Sequence, residues 1–150
     1  MKSLFADASK CTGCLSCEVV CSQRNEGVSG RYEARIRVFL DIFGGDNTVK
    51  HCRQCKKAKC AEACPVEAIT WQPEGGYWCL DPKLCTQCGA CVEACPFDGI
   101  FQHPRSGRVY KCHTCQGEPA CVEACGSGCL TWEDPAERRQ ARAAGKGASS

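Results

Sequence analysis

The sequence predicts an α+β fold in which short strands and short helices wrap groups of cysteines instead of a large apolar core. Three observations lead there. Eighteen of the 150 residues are cysteine, and sixteen of them fall into four blocks of four. The pattern Cys-(Ala/Val)-Glu-Ala-Cys recurs at Cys60–Cys64, Cys91–Cys95 and Cys121–Cys125, each copy reading as a short helix that delivers its last cysteine. Between the blocks lie only short strand-like pieces, and no stretch approaches the ~18 apolar residues of a membrane span.

The elements follow in chain order. A strand around Ser3–Ala6 precedes the first block, Cys11-x2-Cys14-x2-Cys17-x3-Cys21. In the long gap from Ser22 to His51, the alternation of Ala34, Ile36, Val38 and Leu40 predicts a half-buried strand. The second block is Cys52-x2-Cys55-x4-Cys60-x3-Cys64-Pro65. Ala68–Trp71, a turn at Pro73–Gly76 and Tyr77–Leu80 then form a hairpin. The third block, Cys85-x2-Cys88-x2-Cys91-x3-Cys95-Pro96, leads into a parallel case, with Gly99–Gln102, a turn at Pro104–Gly107, and Val109-Tyr110. The fourth block is Cys112-x2-Cys115-x5-Cys121-x3-Cys125, and Cys129–Trp132 echoes Ala68–Trp71. Trp71 and Trp132 are expected to pack over the cysteine sites. Asp134-Pro135 is a helix start, residues 136–144 an exposed helix with Gly145 as its stop, and residues 145–150 a disordered tail.

A C-x2-C-x2-C-x3-C-P run is the pattern by which four thiolates hold a [4Fe–4S] cube in bacterial ferredoxins. The third block is such a run and the other three are variants of it, each with four cysteines, so the sequence predicts four [4Fe–4S] clusters and single-electron transfer. Disulfides would need an oxidising compartment, yet Met1–Asp7 shows no apolar signal region and Arg24 is the first arginine, so no twin-arginine pair precedes block one. The expected location is cytoplasmic. Zinc sites usually place two cysteine pairs well apart, unlike three closely spaced cysteines followed by a fourth on a helix.

Blocks two and three with the hairpin make one two-cluster unit over residues 52–102. Blocks one and four make a second from residues 1–30 and 108–133, around the inserted first. The expected fold is thus two intertwined bacterial two-cluster ferredoxin-like units within residues 1–133, with short strands and short helices around four cubane clusters, followed by the helix and tail of residues 134–150. Metal ligation then supplies much of the folding free energy. The formal charge of +2 is misleading, because four thiolate-bound cubes bring the loaded protein to about −6. The basic stretch Lys50–Lys59 reads first as internal compensation and second as a docking face for an acidic partner. Nucleic acid is not expected, since basic residues do not alternate with aromatics.

With its four ordered motifs, the chain resembles the four-cluster ferredoxin-like electron-transfer subunits of complex oxidoreductases, over about residues 3–133. These include the iron–sulfur subunits of dimethyl sulfoxide reductase-type molybdoenzymes, partners of tungsten aldehyde oxidoreductases, and small subunits serving hydrogenases and carbon monoxide dehydrogenases. The resemblance implies crossed ligation, in which the fourth cysteine of each block joins the other cluster of its pair. Cys11, Cys14 and Cys17 then share a cube with Cys125, and Cys112, Cys115 and Cys121 share one with Cys21. Likewise Cys52, Cys55 and Cys60 go with Cys95, and Cys85, Cys88 and Cys91 with Cys64. It also implies a non-catalytic subunit wiring a molybdenum or tungsten catalytic subunit, with aldehyde oxidoreductase favoured, to a further acceptor or donor subunit. End-to-end contact between copies would extend the wire. A free-standing polyferredoxin and a zinc-stabilised interaction protein are the other readings.

Ser22 and Gly126 replace the proline that follows the fourth cysteine in the inner blocks, which predicts looser helix entries for the outer pair. Cys79 and Cys129 read as small buried hydrophobes. His51, His103 and His113 are not needed as ligands, though His51 or His113 could tune a cluster through a hydrogen bond. No catalytic set, phosphate loop or dinucleotide motif is present.

Overall fold

The structure is a computed structural model and describes residues 1–147. It contains four separate two-stranded antiparallel sheets. Strand β1 (Ser3–Ala6) starts the chain, and helix α1 (Ser16–Glu26) carries the end of the first cysteine block. Strands β2 (Ile36–Phe39) and β3 (Thr48–His51) pair with each other, Ile36 opposite His51. Helix α2 (Lys59–Glu62) leads to the hairpin of β4 (Ile69–Gln72) and β5 (Tyr77–Leu80). Helix α3 (Ala90–Ala94) leads to that of β6 (Ile100–Gln102) and β7 (Val109–Lys111). After helix α4 (Ala120–Glu123), strand β8 (Leu130–Glu133) returns to pair with β1, Ala6 opposite Leu130. Helix α5 (Pro135–Gly147) ends the described chain.

Two small cores replace one large one. The first joins the two ends of the sequence, since Leu4, Cys17, Cys21, Ile36 and Val38 pack with Cys121, Cys129 and Leu130. The second gathers Ile69, Cys91, Ile100 and Val109 from the middle. Helix α1 packs on α4, and α2 on α3. Both expected hairpins form, and β1 meets β8 as the sequence suggested.

Several boundaries differ from expectation. The strand read over Ala34–Leu40 is confined to Ile36–Phe39, and its partner is Thr48–His51, inside the expected long gap. Lys50 and the following basic residues hide the alternation of Val49 and His51 there. Burial of Ile36 and Val38 requires the strand, and the buried Glu18 carboxylate accepts the Val38 N–H at 2.7 Å. The opposite face carries Arg37, stacked on Phe101 with 4.5 Å to the ring centroid, which ties this insertion to the central hairpin.

Helix α1 runs past Cys21, whereas α2, α3 and α4 stop before their fourth cysteine. After α2 and α3 the proline that follows the fourth cysteine would remove a helical N–H and clash with the preceding turn; α4 stops with Gly126 in that place, and Ser22 imposes no such break on α1. Instead of a looser entry, Ser22 is fully buried, donates to Val19 O at 2.9 Å and accepts from Gly30 N at 3.1 Å. At the other end, Asp134 Oδ1 accepts Ala136 N at 2.8 Å, and its second oxygen accepts the Met1 amino group at 3.0 Å. Helix α5 then continues through Gly145 instead of stopping there. A single interior glycine costs about 1 kcal/mol relative to alanine, too little to force a stop. Of the expected tail, residues 148–150 lie outside the described residues. Among the described residues no helix is long and apolar enough to cross a membrane.

Candidate metal centres

The first C-x2-C loop of each block turns by the same device. Its second intervening residue takes positive φ: +73° at Gly13, 49° at Gln54, 62° at Gln87 and 57° at Thr114. A left-handed residue folds the chain back on itself, so both thiols border one void, and it aims backbone N–H groups inward. Positive φ is a real outlier for a β-branched residue such as Thr114. The third cysteines, Cys17, Cys60, Cys91 and Cys121, sit on helices α1 to α4.

The voids are lined by cysteines from different blocks. Cys11, Cys14 and Cys17 border one cavity with Cys125. Cys112, Cys115 and Cys121 border a second with Cys21. Cys52, Cys55 and Cys60 border a third, of about 290 Å³, with Cys95. Of the remaining cysteines, Cys91 is raised by burial and then by the charge of nearby Cys85, Cys88 is exposed, and Cys64 accepts Ala68 N at 3.3 Å. Among the described residues no three Cys, His, Asp or Glu side chains converge closely enough to hold a single ion. The thiols stand around spaces and not around points.

Backbone N–H groups point at these sulfurs. Every fourth cysteine accepts one: Cys21 from Arg35 at 3.2 Å, Cys64 from Ala68, Cys95 from Gly99 at 3.3 Å and Cys125 from Leu130 at 3.5 Å. Cys85 and Cys112 accept from Gln87 and Thr114, two residues on. Such bonds favour the thiolate and raise the potential of a thiolate-bound centre. Burial acts the other way. It pushes the thiols of Cys17 and Cys112 up to about 12 and that of Cys91 to about 11, and raises Cys121 as well. Bound iron deprotonates a coordinating thiol outright, removing that penalty. An all-thiol donor set, voids and inward N–H groups fit a [4Fe–4S] cube.

Some contributors were not legible in advance. Trp71 is partly exposed and stacks edge-on against Trp78 at 5.5 Å, and it is Trp78 that lines the Cys52 cavity. Trp132 packs against the first core, which holds Cys17 and Cys121. Cys129 is buried as expected, yet it also lines the Cys11 cavity as a fifth cysteine. His51 and His113 engage backbone, with His51 Nδ1 on Cys52 O at 3.0 Å and His113 Nδ1 accepting Cys115 N at 3.0 Å. Burial depresses both, His113 to about 4. Gln54 donates to Cys112 O at 2.7 Å and accepts Trp78 N at 2.7 Å. Its signal was the glutamine shared by Cys-x-Gln-Cys at Gln54 and Gln87. Lys111, buried at a strand end, carried none.

Comparison with known proteins agrees with this chemistry. Residues 46–135 match the 4Fe-4S dicluster domain, and residues 8–25 match a 4Fe-4S binding domain. The polyferredoxin-like subunit of aliphatic sulfonate oxidoreductase from Pyrococcus furiosus is 40% identical over 116 residues, 77% of this chain and 66% of that one. A tetrathionate reductase subunit of Archaeoglobus fulgidus is 37% identical over 113 residues, 73% of this chain and 52% of that one. A ferredoxin of Methanocaldococcus jannaschii is 35% identical over 135 residues, 89% of this chain and 74% of that one. The chain therefore spans less than two thirds of the length of the first two relatives. The active site complex BamBC of benzoyl coenzyme A reductase includes a chain of the same fold, with a TM-score of 0.54 at 23% identity, covering 100% of this chain and 91% of that one. With cysteine cavities, inward N–H groups and a family match over most of its length, this iron–sulfur protein belongs to the 4Fe-4S dicluster-domain family.

Proposed function

We propose that this chain is a non-catalytic electron-transfer subunit that relays single electrons through four [4Fe–4S] clusters, in two intertwined two-cluster units with crossed ligation. The observation that carries the reading is the way the cysteine sets adjoin. Cys17 of the first set lies near enough to Cys121 of the second for its charge to act on that thiol. Cys52 of the third set acts likewise on Cys112 of the second, and Cys60 of the third on Cys91 of the fourth. This supports one linear order: the Cys11 set, the Cys112 set, the Cys52 set, then the Cys85 set. Only two of the eighteen cysteines are exposed, Cys14 and Cys88, and they belong to the two end sets.

Each cluster, when bound, would take up and release one electron. The chain's own residues do the rest: thiolates hold the iron, backbone N–H groups stabilise charge on sulfur, and the packed hairpins exclude water. Two open ends suit a catalytic oxidoreductase subunit at one and a further carrier at the other. The Pyrococcus and Archaeoglobus relatives are subunits of sulfur-compound oxidoreductases, which supports a catalytic partner over a free-standing polyferredoxin. For that partner we favour a molybdenum or tungsten enzyme, an aldehyde oxidoreductase among them.

Anaerobic co-purification with metal analysis tests this. A stoichiometric partner holding molybdenum or tungsten, reducible through this chain, is the expected result. Purification as a monomer that accepts electrons from soluble donors with no partner would favour the polyferredoxin instead.

A further inference from the structure

Lys111 is buried, 3% exposed, between two of the cysteine sets. Its ammonium uses all three donors, to Cys52 Sγ at 3.3 Å, Trp78 O at 3.0 Å and Cys112 O at 3.4 Å. Among the described residues it takes part in no ion pair, unlike Arg35 and Arg108 on Glu26 or Lys50 on Asp98. A buried cation without a carboxylate is costly unless some other negative charge compensates it. The thiolates are the available charge. Its field reaches Cys55 and Cys60 as well as Cys112. The position is held from several sides: Gln54 bridges Cys112 O and Trp78 N, and the Trp78 indole N–H binds Cys55 O at 3.0 Å.

We propose that Lys111 is the fixed positive charge that raises the reduction potential of the cluster held by Cys52, Cys55, Cys60 and Cys95, at the joint between the two units. Reduction adds a negative charge to a cluster, so a cation at hydrogen-bond distance from one ligand sulfur stabilises the reduced form. Lys57 and Lys59 also border that cavity, but they are exposed and screened by water and salt. Lys111 is shielded from both. It therefore makes this inner cluster a resting place for the electron as it crosses between units.

This inference rests on the four-cluster reading, and the experiment separates the two. The intact, cluster-loaded chain is titrated anaerobically with spectroscopic detection, as wild type, Lys111→Met and Lys111→Gln. In both variants one inner couple is expected to fall so that, at its wild-type midpoint, the reduced-to-oxidised ratio drops at least tenfold, which is 59 mV for one electron. The two outer couples stay in place. Unchanged potentials with full iron content would overturn the role of Lys111 alone. Wild-type potentials in Lys111→Gln would also overturn it, because a neutral hydrogen-bond donor would then suffice. If both variants lose iron, wild-type protein labelled with ¹⁵N-lysine decides by pulsed paramagnetic resonance. A ¹⁵N coupling on one reduced cluster supports the proposal, and its absence overturns it. Wild-type protein lacking the iron for four clusters would overturn the cluster reading and this inference together.

Discussion

Cys21 on α1 and Cys121 on α4 line one cavity, where burial first, and then the charges of Cys112 and Cys21, push up the Cys121 thiol. They belong to the first and last cysteine blocks, brought together because α1 packs on α4 and β1 pairs with β8. Sequence neighbours in a block are thus divided between sites, while distant blocks share them.

The four-cluster reading sets the content of the loaded protein. Four cubes require about sixteen iron and sixteen acid-labile sulfide atoms per chain. Elemental and sulfide analysis of anaerobically purified protein measures both. Stoichiometric zinc without brown absorbance would contradict the cluster reading.

Crossed ligation makes a specific mutational prediction. Cys21→Ala should convert the cluster of Cys112, Cys115 and Cys121 to a three-iron or labile form, with the cluster of Cys11, Cys14 and Cys17 retained. Paramagnetic resonance with iron counting reads this. Damage to the Cys11 cluster instead would disprove the pairing. Cys79→Ser and Cys129→Ala should leave the cluster count unchanged.

Gly99 and Gly126 should respond differently to alanine. A Cβ at Gly99 would meet the His51 carbonyl oxygen and lie 2.8 Å from Cys52 N, both backbone atoms beside the third cavity. At Gly126 a Cβ meets nothing within 4 Å. Gly99→Ala should destabilise the loaded protein by about 1–3 kcal/mol through overpacking. Gly126→Ala should shift it by less than about 0.5 kcal/mol, as an exposed substitution does. The midpoint of cluster loss on heating compares them, and equal midpoints would refute the packing argument.

The iron-free chain should be sensitive to alkali. Burial raises the thiols of Cys17 and Cys112 from 9.0 to about 12. A group whose folded pKa is raised stabilises the fold below its unfolded value and loses that contribution as pH climbs through the folded one. Residual structure without iron should therefore decline from pH 9 to about 12, followed by circular dichroism. The loaded protein, whose thiolates are already ligated, should not track that titration. An iron-free chain that gained structure over this range would contradict the assignment.

The repeat of four cysteine blocks, the C-(A/V)-E-A-C helices and the two turn-linked hairpins were legible in the sequence because they are local. Spacing sets which residues share a helix face, and Pro-Glu-Gly-Gly or Pro-Arg-Ser-Gly makes a turn without outside help. The tertiary structure decided what depends on distant parts. Thr48–His51 became a strand because Ile36 and Val38 needed a partner to complete a buried face. Ser22 prolonged α1 because its hydroxyl found Gly30 across a bend. Lys111 reads as an ordinary surface lysine at the end of a strand, and only the approach of Cys52, Trp78 and Cys112 encloses it. Residue type and spacing determined which chemistry the chain can hold. Packing between blocks far apart in sequence decided which thiols adjoin and which charge lies between them, because electrostatic environment is a property of the neighbours in space.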